Sequence, residues 1–180
     1  INPFHLQSGN HTMFTIRAIL AATSSPTWGV YSGFELFEHE ALAAGREEYL
    51  NSEKFEYRPR DYDAQPNLNL LFGTLNSIRK AHPALQQLRQ LTFHHAGNDG
   101  VIVYSKRDGD DVVIVICSLD PYNTVESDVW LDLGALGRAG SNTVQLRDEL
   151  TGAVFTWGER NFVRLSPSTP AHILHVLTTS

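Results

Sequence analysis

Val101-Ile102-Val103-Tyr104-Ser105-Lys106-Arg107-Asp108-Gly109-Asp110-Asp111-Val112-Val113-Ile114-Val115-Ile116-Cys117-Ser118 decides how the second half of this chain folds. Val101 to Ser105 is strand-like, and Val112 to Ser118 is a near-continuous β-branched run, the pattern of a central buried strand. Lys106 to Asp111 lies between them and contains Asp-Gly, a hairpin-turn signal. Reading on, Ser127 to Leu131, Thr143 to Leu146, Val154 to Trp157, Phe162 to Leu165 and His172 to Leu177 are further strand candidates. Short strands separated by turns at intervals of about 8–12 residues predict an antiparallel sandwich.

Upstream of Gln90 the period is that of helices. Met13, Ile16, Ile19 and Leu20 place a helix over Thr12 to Thr23, stopped by Ser24-Ser25-Pro26. Trp28-Gly29-Val30-Tyr31 reads as a short buried strand, and Phe34 to Leu42 as a short helix. Gly45 to Asn67 is polar, interrupted by proline and crowded with charge; a loop of that length in a compact protein is usually functional or disordered. Leu68, Leu71, Phe72, Leu75 and Ile78 then make an i, i+3, i+4, i+7 stripe, which predicts a helix over Asn67 to Ala81 with Pro83 just past its end. The expected organisation is therefore two architectures in series, 1–90 helical and 91–180 all-β. The first half has too few elements to close a sheet alone and makes sense as the last units of a β/α barrel whose earlier strands lie elsewhere.

Composition narrows the function classes. Fourteen Lys and Arg against 20 Asp and Glu give a formal charge of −6, which argues against nucleic acid, since phosphate binding needs a basic face. No apolar stretch approaches the ~20 residues that cross a bilayer, so no membrane partner is expected. Cys117 is the single cysteine, inside an apolar run, so it reads as inert core and suits a cytoplasmic protein. His5 and His11 are six apart and His94 and His95 are adjacent; neither pair has the spacing of a metal site, and no metal is expected. Trp130 and Trp157 could stack on sugars, with core packing as the default.

Four short motifs carry a family resemblance. Tyr31, Gly33 and Glu35 resemble the Y-x-G-x-E final-strand signature of the α-amylase superfamily barrels, with Trp28 where that family often has proline. Arg79-Lys80-Ala81-His82-Pro83-Ala84-Leu85 resembles its R-x-x-H-P-A-L helix end, Asp111 to Leu119 a strand of its C-terminal β-domain, and Asp148-Glu149-Leu150-Thr151-Gly152 the turn late in that domain. The segments Ser32 to His39, Glu47 to Leu50, Ser52 to Asp61 and His82 to Arg89, with the opening Ile1-Asn2-Pro3-Phe4, look like the α-1,4-glucan:maltose-1-phosphate maltosyltransferases.

That resemblance implies a retaining transfer of maltosyl from α-maltose 1-phosphate to the non-reducing end of an α-1,4-glucan, with phosphate leaving and no cofactor. It implies three catalytic acids on barrel strands that align upstream of Ile1, so no catalytic residue is expected within the chain and the isolated chain is expected to be inactive. It implies a sugar-binding pair at Lys54 and Phe55, where the family usually has Lys-Tyr. Lys54 keeps an ammonium with three donors for sugar hydroxyls, while Phe55 lacks the phenolic oxygen. Arg58 and Arg60 are expected to pair with neighbouring acids. The implied partners are the missing N-terminal part of the same protein and a second copy, as a homodimer. Two alternatives stay open: another α-amylase-superfamily hydrolase or transglycosylase, and a non-catalytic glucan-binding module.

Overall fold

A change of hydrophobic period near residue 90 separates two helices from nine strands in the computed structural model, which describes residues 2–53 and 57–177. Helix α1 is His11–Ser24 and helix α2 is Asn69–Ala81. The strands are β1 Leu91–Phe93, β2 His95–Ala96, β3 Val101–Asp108, β4 Asp111–Ser118, β5 Val125–Trp130, β6 Val144–Asp148, β7 Val154–Trp157, β8 Arg160–Leu165 and β9 Ala171–Val176. They form a six-stranded sheet, β1-β3-β4-β9-β6-β7, and a three-stranded sheet, β2-β5-β8, with every pairing antiparallel. The antiparallel sandwich expected from the sequence is present.

The β-branched run of β4 lies at the centre, paired on one side with β3 and on the other with β9. Its side chains alternate between two cores. Val112, Ile114 and Ile116 point at the three-stranded sheet and pack with Val129, Leu131, Leu146 and Leu165. Val113, Val115 and Cys117 point the other way, against Ile16, Ile19 and Ala22 of α1 and Leu75 and Ile78 of α2. Burial on both faces is why this strand reads as continuously apolar rather than alternating. The molecule is thus three layers, helices on a six-stranded sheet on a three-stranded sheet. Cys117 is fully buried, and burial pushes its thiol up to about 12, so it is an unreactive core group.

Polar cross-links tie the helical layer to the sheet. Thr23 Oγ1 donates to the Ile19 carbonyl at 2.6 Å and accepts from the Tyr104 hydroxyl at 2.6 Å. Lys106 is buried within β3 and donates from Nζ to the Gln87 and Ser24 carbonyls. The Arg79 guanidinium lies across the end of α1 and donates to the carbonyls of Ala22, Ser25 (2.9 Å) and Pro26 (2.6 Å). Carbonyls at a helix C-terminus have no intrahelical donor, so a cation there satisfies hydrogen bonds and the helix dipole together. Asp148 is buried at the end of β6 and accepts from the Leu150 amide, Thr151 Oγ1 and His172 Nδ1, which holds the Asp148-Glu149-Leu150-Thr151-Gly152 turn.

Two local expectations fail. Trp28 to Tyr31 forms no strand, and Val30 and Tyr31 are exposed; a strand exists through a hydrogen-bonded neighbour, and none lies beside it among the described residues. Phe34 to Leu42 is not a helix but one 3₁₀ turn over Phe34–Leu36, closed by Phe37 at φ 58° and by the Glu38 amide returning to the Gly33 carbonyl at 3.0 Å. The hairpin turn falls within Lys106 to Asp111 as expected and is tight: Asp108 pairs with Asp111, leaving Gly109, at φ +60°, and Asp110 as the connection. Strands β1 and β2 carry no clear sequence signal. They mark where the chain passes from one sheet to the other at His94. Among the described residues no helix is long and apolar enough to cross a membrane.

Candidate functional site

The loop between the 3₁₀ turn and α2 is dense in ion pairs among the described residues, and Gly33 starts it. Gly33 has φ +101°, and a Cβ there would run into the Glu38 carboxylate. Its amide donates to Glu35 Oε2 at 2.9 Å. The glycine and acid of the Tyr31-Ser32-Gly33-Phe34-Glu35 motif therefore shape one tight turn, which folds Glu38 back over Gly33.

Glu38 is the first post of an ion-pair lattice. Arg60 donates to it from Nε at 2.8 Å and from Nη2 at 3.2 Å, and Arg58 Nη1 lies 3.2 Å away. The same Arg60 donates from Nη1 to Glu53 Oε2 at 2.6 Å, with its side chain only 3% exposed. Glu53 Oε1 accepts the Arg58 amide at 3.0 Å. The Arg58 amide, then Arg60, hold the Glu53 carboxyl below its usual range; Glu38 and Glu53 together raise Arg60 further above its ordinary value against the opposing effect of desolvation. The expected pairing of Arg58 and Arg60 with acids is thus present. The sequence did not show which acids, because Glu38 lies 22 residues from Arg60.

A second support comes from the aromatic side. Tyr31 stacks on Tyr49 with ring centroids 5.1 Å apart, and the Tyr31 hydroxyl accepts the Glu53 amide at 3.4 Å. Tyr49 is buried and bridges to Ala41, while Leu50 N donates to the Glu40 carbonyl at 2.9 Å. Asn2 adds a strut, donating from Nδ2 to the His39 carbonyl and from its amide to the Glu47 carbonyl, both at 2.8 Å. A 400 Å³ depression lined by Arg17, Leu20, Trp28, Tyr31 and Tyr49 opens beside these rings.

Lys54 and Phe55 lie outside the described residues. The residue before them, Glu53, and the first anchored residue after them, Arg58, are bonded to each other and to Arg60.

A separate cluster joins α2 to the sheets. His82 Nδ1 lies 2.9 Å from Asp111 Oδ1, His175 Nε2 lies 3.5 Å from the same oxygen, and His82 Nε2 lies 3.8 Å from Glu149. Donor atoms of His82, Asp111 and His175 all fall within 4.8 Å of one another. Asp111 Oδ2 also accepts the Ala84 amide at 2.8 Å. The carboxylate is thus engaged on both oxygens, and the group acts as a half-buried clasp between the His82-Pro83-Ala84-Leu85 segment and strands β4 and β9.

Residues 93–176 match the family described as "GLGE, C-terminal". A relative from Streptomyces coelicolor, α-1,4-glucan:maltose-1-phosphate maltosyltransferase 2, is 50% identical over 96% of this chain and 26% of its own length. The enzyme of the same name from Corynebacterium glutamicum is 52% identical over 90% of this chain and 25% of its own. Over nearly its whole length the chain is similar in sequence to these maltosyltransferases. It spans about a quarter of the length of the curated relatives it matches. Among solved structures, an α-amylase from Geobacillus thermoleovorans matches 94% of this chain and 34% of its own at TM-score 0.64 and 14% identity. A γ-cyclodextrin glucanotransferase from alkalophilic Bacillus clarkii matches 94% of this chain and 24% of its own at TM-score 0.63 and 15% identity. Those two likenesses concern the fold alone; the similarity to the maltosyltransferases is one of sequence.

Proposed function

We propose that this chain is the C-terminal portion of a retaining enzyme that moves maltosyl from α-maltose 1-phosphate to the non-reducing end of α-1,4-glucans and releases phosphate. The observation that carries this reading is the agreement of relatives bearing that name at 46–52% identity over 90–96% of the chain. Residues 1–90, on this reading, are the last units of a (β/α)8 barrel and 91–180 its β-sandwich companion. The Trp28 to Tyr31 segment, without a strand partner among the described residues, is then a barrel strand whose neighbours belong to the rest of the polypeptide.

Retention of configuration requires two displacements at the anomeric carbon. A carboxylate attacks that carbon, the bond to the phosphate oxygen breaks, and phosphate leaves with the electron pair. The acceptor hydroxyl then displaces the carboxylate while a second carboxyl group takes its proton, and a third acid stabilises the cationic character of the transition state. All three acids belong upstream of Ile1 in this proposal. The loop described above contributes binding: Lys54 donates to sugar hydroxyls, Phe55 packs against the sugar ring, and the Glu38–Arg60–Glu53 lattice orders the residues that flank them. Association into a homodimer also belongs to this reading.

The test is phosphate release from α-maltose 1-phosphate with a maltooligosaccharide acceptor, catalysed by the full polypeptide. Release matched by glucan extension, and weakened in Lys54→Ala, supports the reading. Hydrolysis of plain α-glucans without phosphate release would transfer the chain to the amylase side of the superfamily.

A further inference from the structure

The outward face of the β2-β5-β8 sheet carries an aromatic pair that the core does not use. Along β5 the inward residues are Val125, Ser127 and Val129, so Glu126, Asp128 and Trp130 point out. Trp130 was expected to pack in the core. It stands instead on the outer face with the His95 ring 4.8 Å away and the Arg160 guanidinium 5.4 Å from its centroid. Register places Asp128 opposite Phe162 and Trp130 opposite Arg160, so Trp130 and Phe162 are diagonal neighbours, about 7–8 Å apart along the backbone. Phe162 is 62% exposed although it sits mid-strand. The two rings border an open depression of 710 Å³ together with Asn98, Glu126 and Asp128.

Both arginines on this face are paired with acids. Arg160 donates to Asp128 at 2.6 Å, and Arg164 lies 3.6 Å from Glu126. A face with two aromatic rings, neutralised cations and several planar hydrogen-bonding groups suits a ligand that is itself neutral, apolar on one side and hydroxylated at its edges. Phosphates and nucleic acids need free cations, which this face does not offer among its paired arginines. A pyranose ring has those properties: its C–H face stacks on an aromatic ring and its rim of hydroxyls meets carboxylate, amide and guanidinium groups.

We propose that this sheet face binds a segment of neutral α-1,4-glucan, with Trp130 and Phe162 as stacking surfaces and Asn98, Asp128 and Arg160 as hydroxyl partners. The identity of the glycan rests on the maltosyltransferase reading; the site itself rests on the geometry above. Holding a polymer here keeps its free ends near the enzyme between turnovers.

The experiment is affinity electrophoresis of the full polypeptide through gels containing glycogen, with dextran sulfate gels in parallel. Glycogen is expected to retard the wild-type protein. Trp130→Ala and Phe162→Ala are each expected to weaken that retardation at least about fivefold, without a change in Tm, while Tyr122→Ala, at an exposed site on the β4–β5 connection, stays retarded like wild type. Retardation that survives both aromatic substitutions overturns the proposal, as does stronger retardation by dextran sulfate than by glycogen. Binding is read without maltose 1-phosphate, so the two readings separate. Phosphate release without Trp130-dependent retardation removes the sheet-face site and leaves the activity. Trp130-dependent retardation without phosphate release does the reverse.

Discussion

Gly33 has no side chain because the Glu38 carboxylate occupies the space a Cβ would need, at a backbone angle, φ +101°, that other residues rarely adopt. Gly33→Ala is therefore expected to cost about 2–3 kcal/mol from backbone strain and displacement of Glu38. Urea midpoints measure this, and an unchanged midpoint would separate the glycine from the loop. Arg60 has a different kind of importance. Its one guanidinium serves Glu38 and Glu53 at once, and removing it leaves two carboxylates without their common cation. On the proposed reading, Arg60→Ala in the full polypeptide lowers kcat/KM for glucan extension on the order of ten- to a hundredfold, through misplacement of Lys54 and Phe55. Most of that loss should appear in KM, since Arg60 acts on sugar binding through its neighbours. Arg60→Lys should restore only part of it, because an ammonium lacks the planar fork that reaches both partners. A fall in Tm with KM and kcat both at wild-type values would make Arg60 a purely structural residue.

Among the elements, α1 ends where Arg79 reaches its last carbonyls. Arg79→Ala is expected to destabilise the fold by about 3 kcal/mol, the scale of losing charge-assisted hydrogen bonds to buried carbonyls. Glutamine at this site, too short to span all three, should recover little in the same denaturation measurement. The clasp between α2 and the sheets makes the fold pH-sensitive. Burial first, and then the neighbouring His82, hold the His175 imidazole below its ordinary value, with Asp111 and Glu149 opposing and Arg147 assisting. An imidazole that binds its proton less readily when folded adds stability that is complete above the unfolded value of about 6.5 and is lost as pH falls through it. His5 and His94 are also lowered, chiefly by burial, and act in the same direction. Urea midpoints should thus drop between pH 7.5 and pH 5.5, and His175→Gln should make the drop smaller. An identical drop in both proteins would place the sensitivity elsewhere.

What the sequence revealed at this scale follows the same physics. Strand β4 was visible because both of its faces are buried, and α2 because only one of its faces is. The outward position of Trp130 was present in the period-2 pattern, since Ser127 and Val129 set the inward parity; the general tendency of tryptophan to pack in cores obscured it. The Glu38–Arg60–Glu53 lattice had no local signal. Its members are brought together by a turn at Gly33 that depends on one side chain's position rather than on any periodicity.

For the whole molecule, the central sheet makes the two halves of the chain interdependent. One face of β4 packs on α1 and α2, and the other closes the sandwich with the three-stranded sheet. Helix α1 carries apolar residues around most of its circumference, including Leu20 and Ala21, which border the 400 Å³ depression with Trp28 and Tyr31. A helix apolar on all sides belongs in an interior. The sheet covers one side of α1, and in the proposed enzyme the remaining barrel covers the other. Residues 1–180 produced alone are therefore expected to present that side to solvent, to bind an apolar fluorescent dye several-fold more strongly per molecule than the full polypeptide, and to self-associate in sedimentation experiments. Placing a charge in the depression, as in Ala21→Glu, should suppress both effects in the isolated chain and destabilise the full polypeptide, where the same site is covered. If the isolated chain is monodisperse and binds no dye, α1 needs no further cover, and the barrel assignment for residues 1–90 falls while the sandwich assignment for the rest stands.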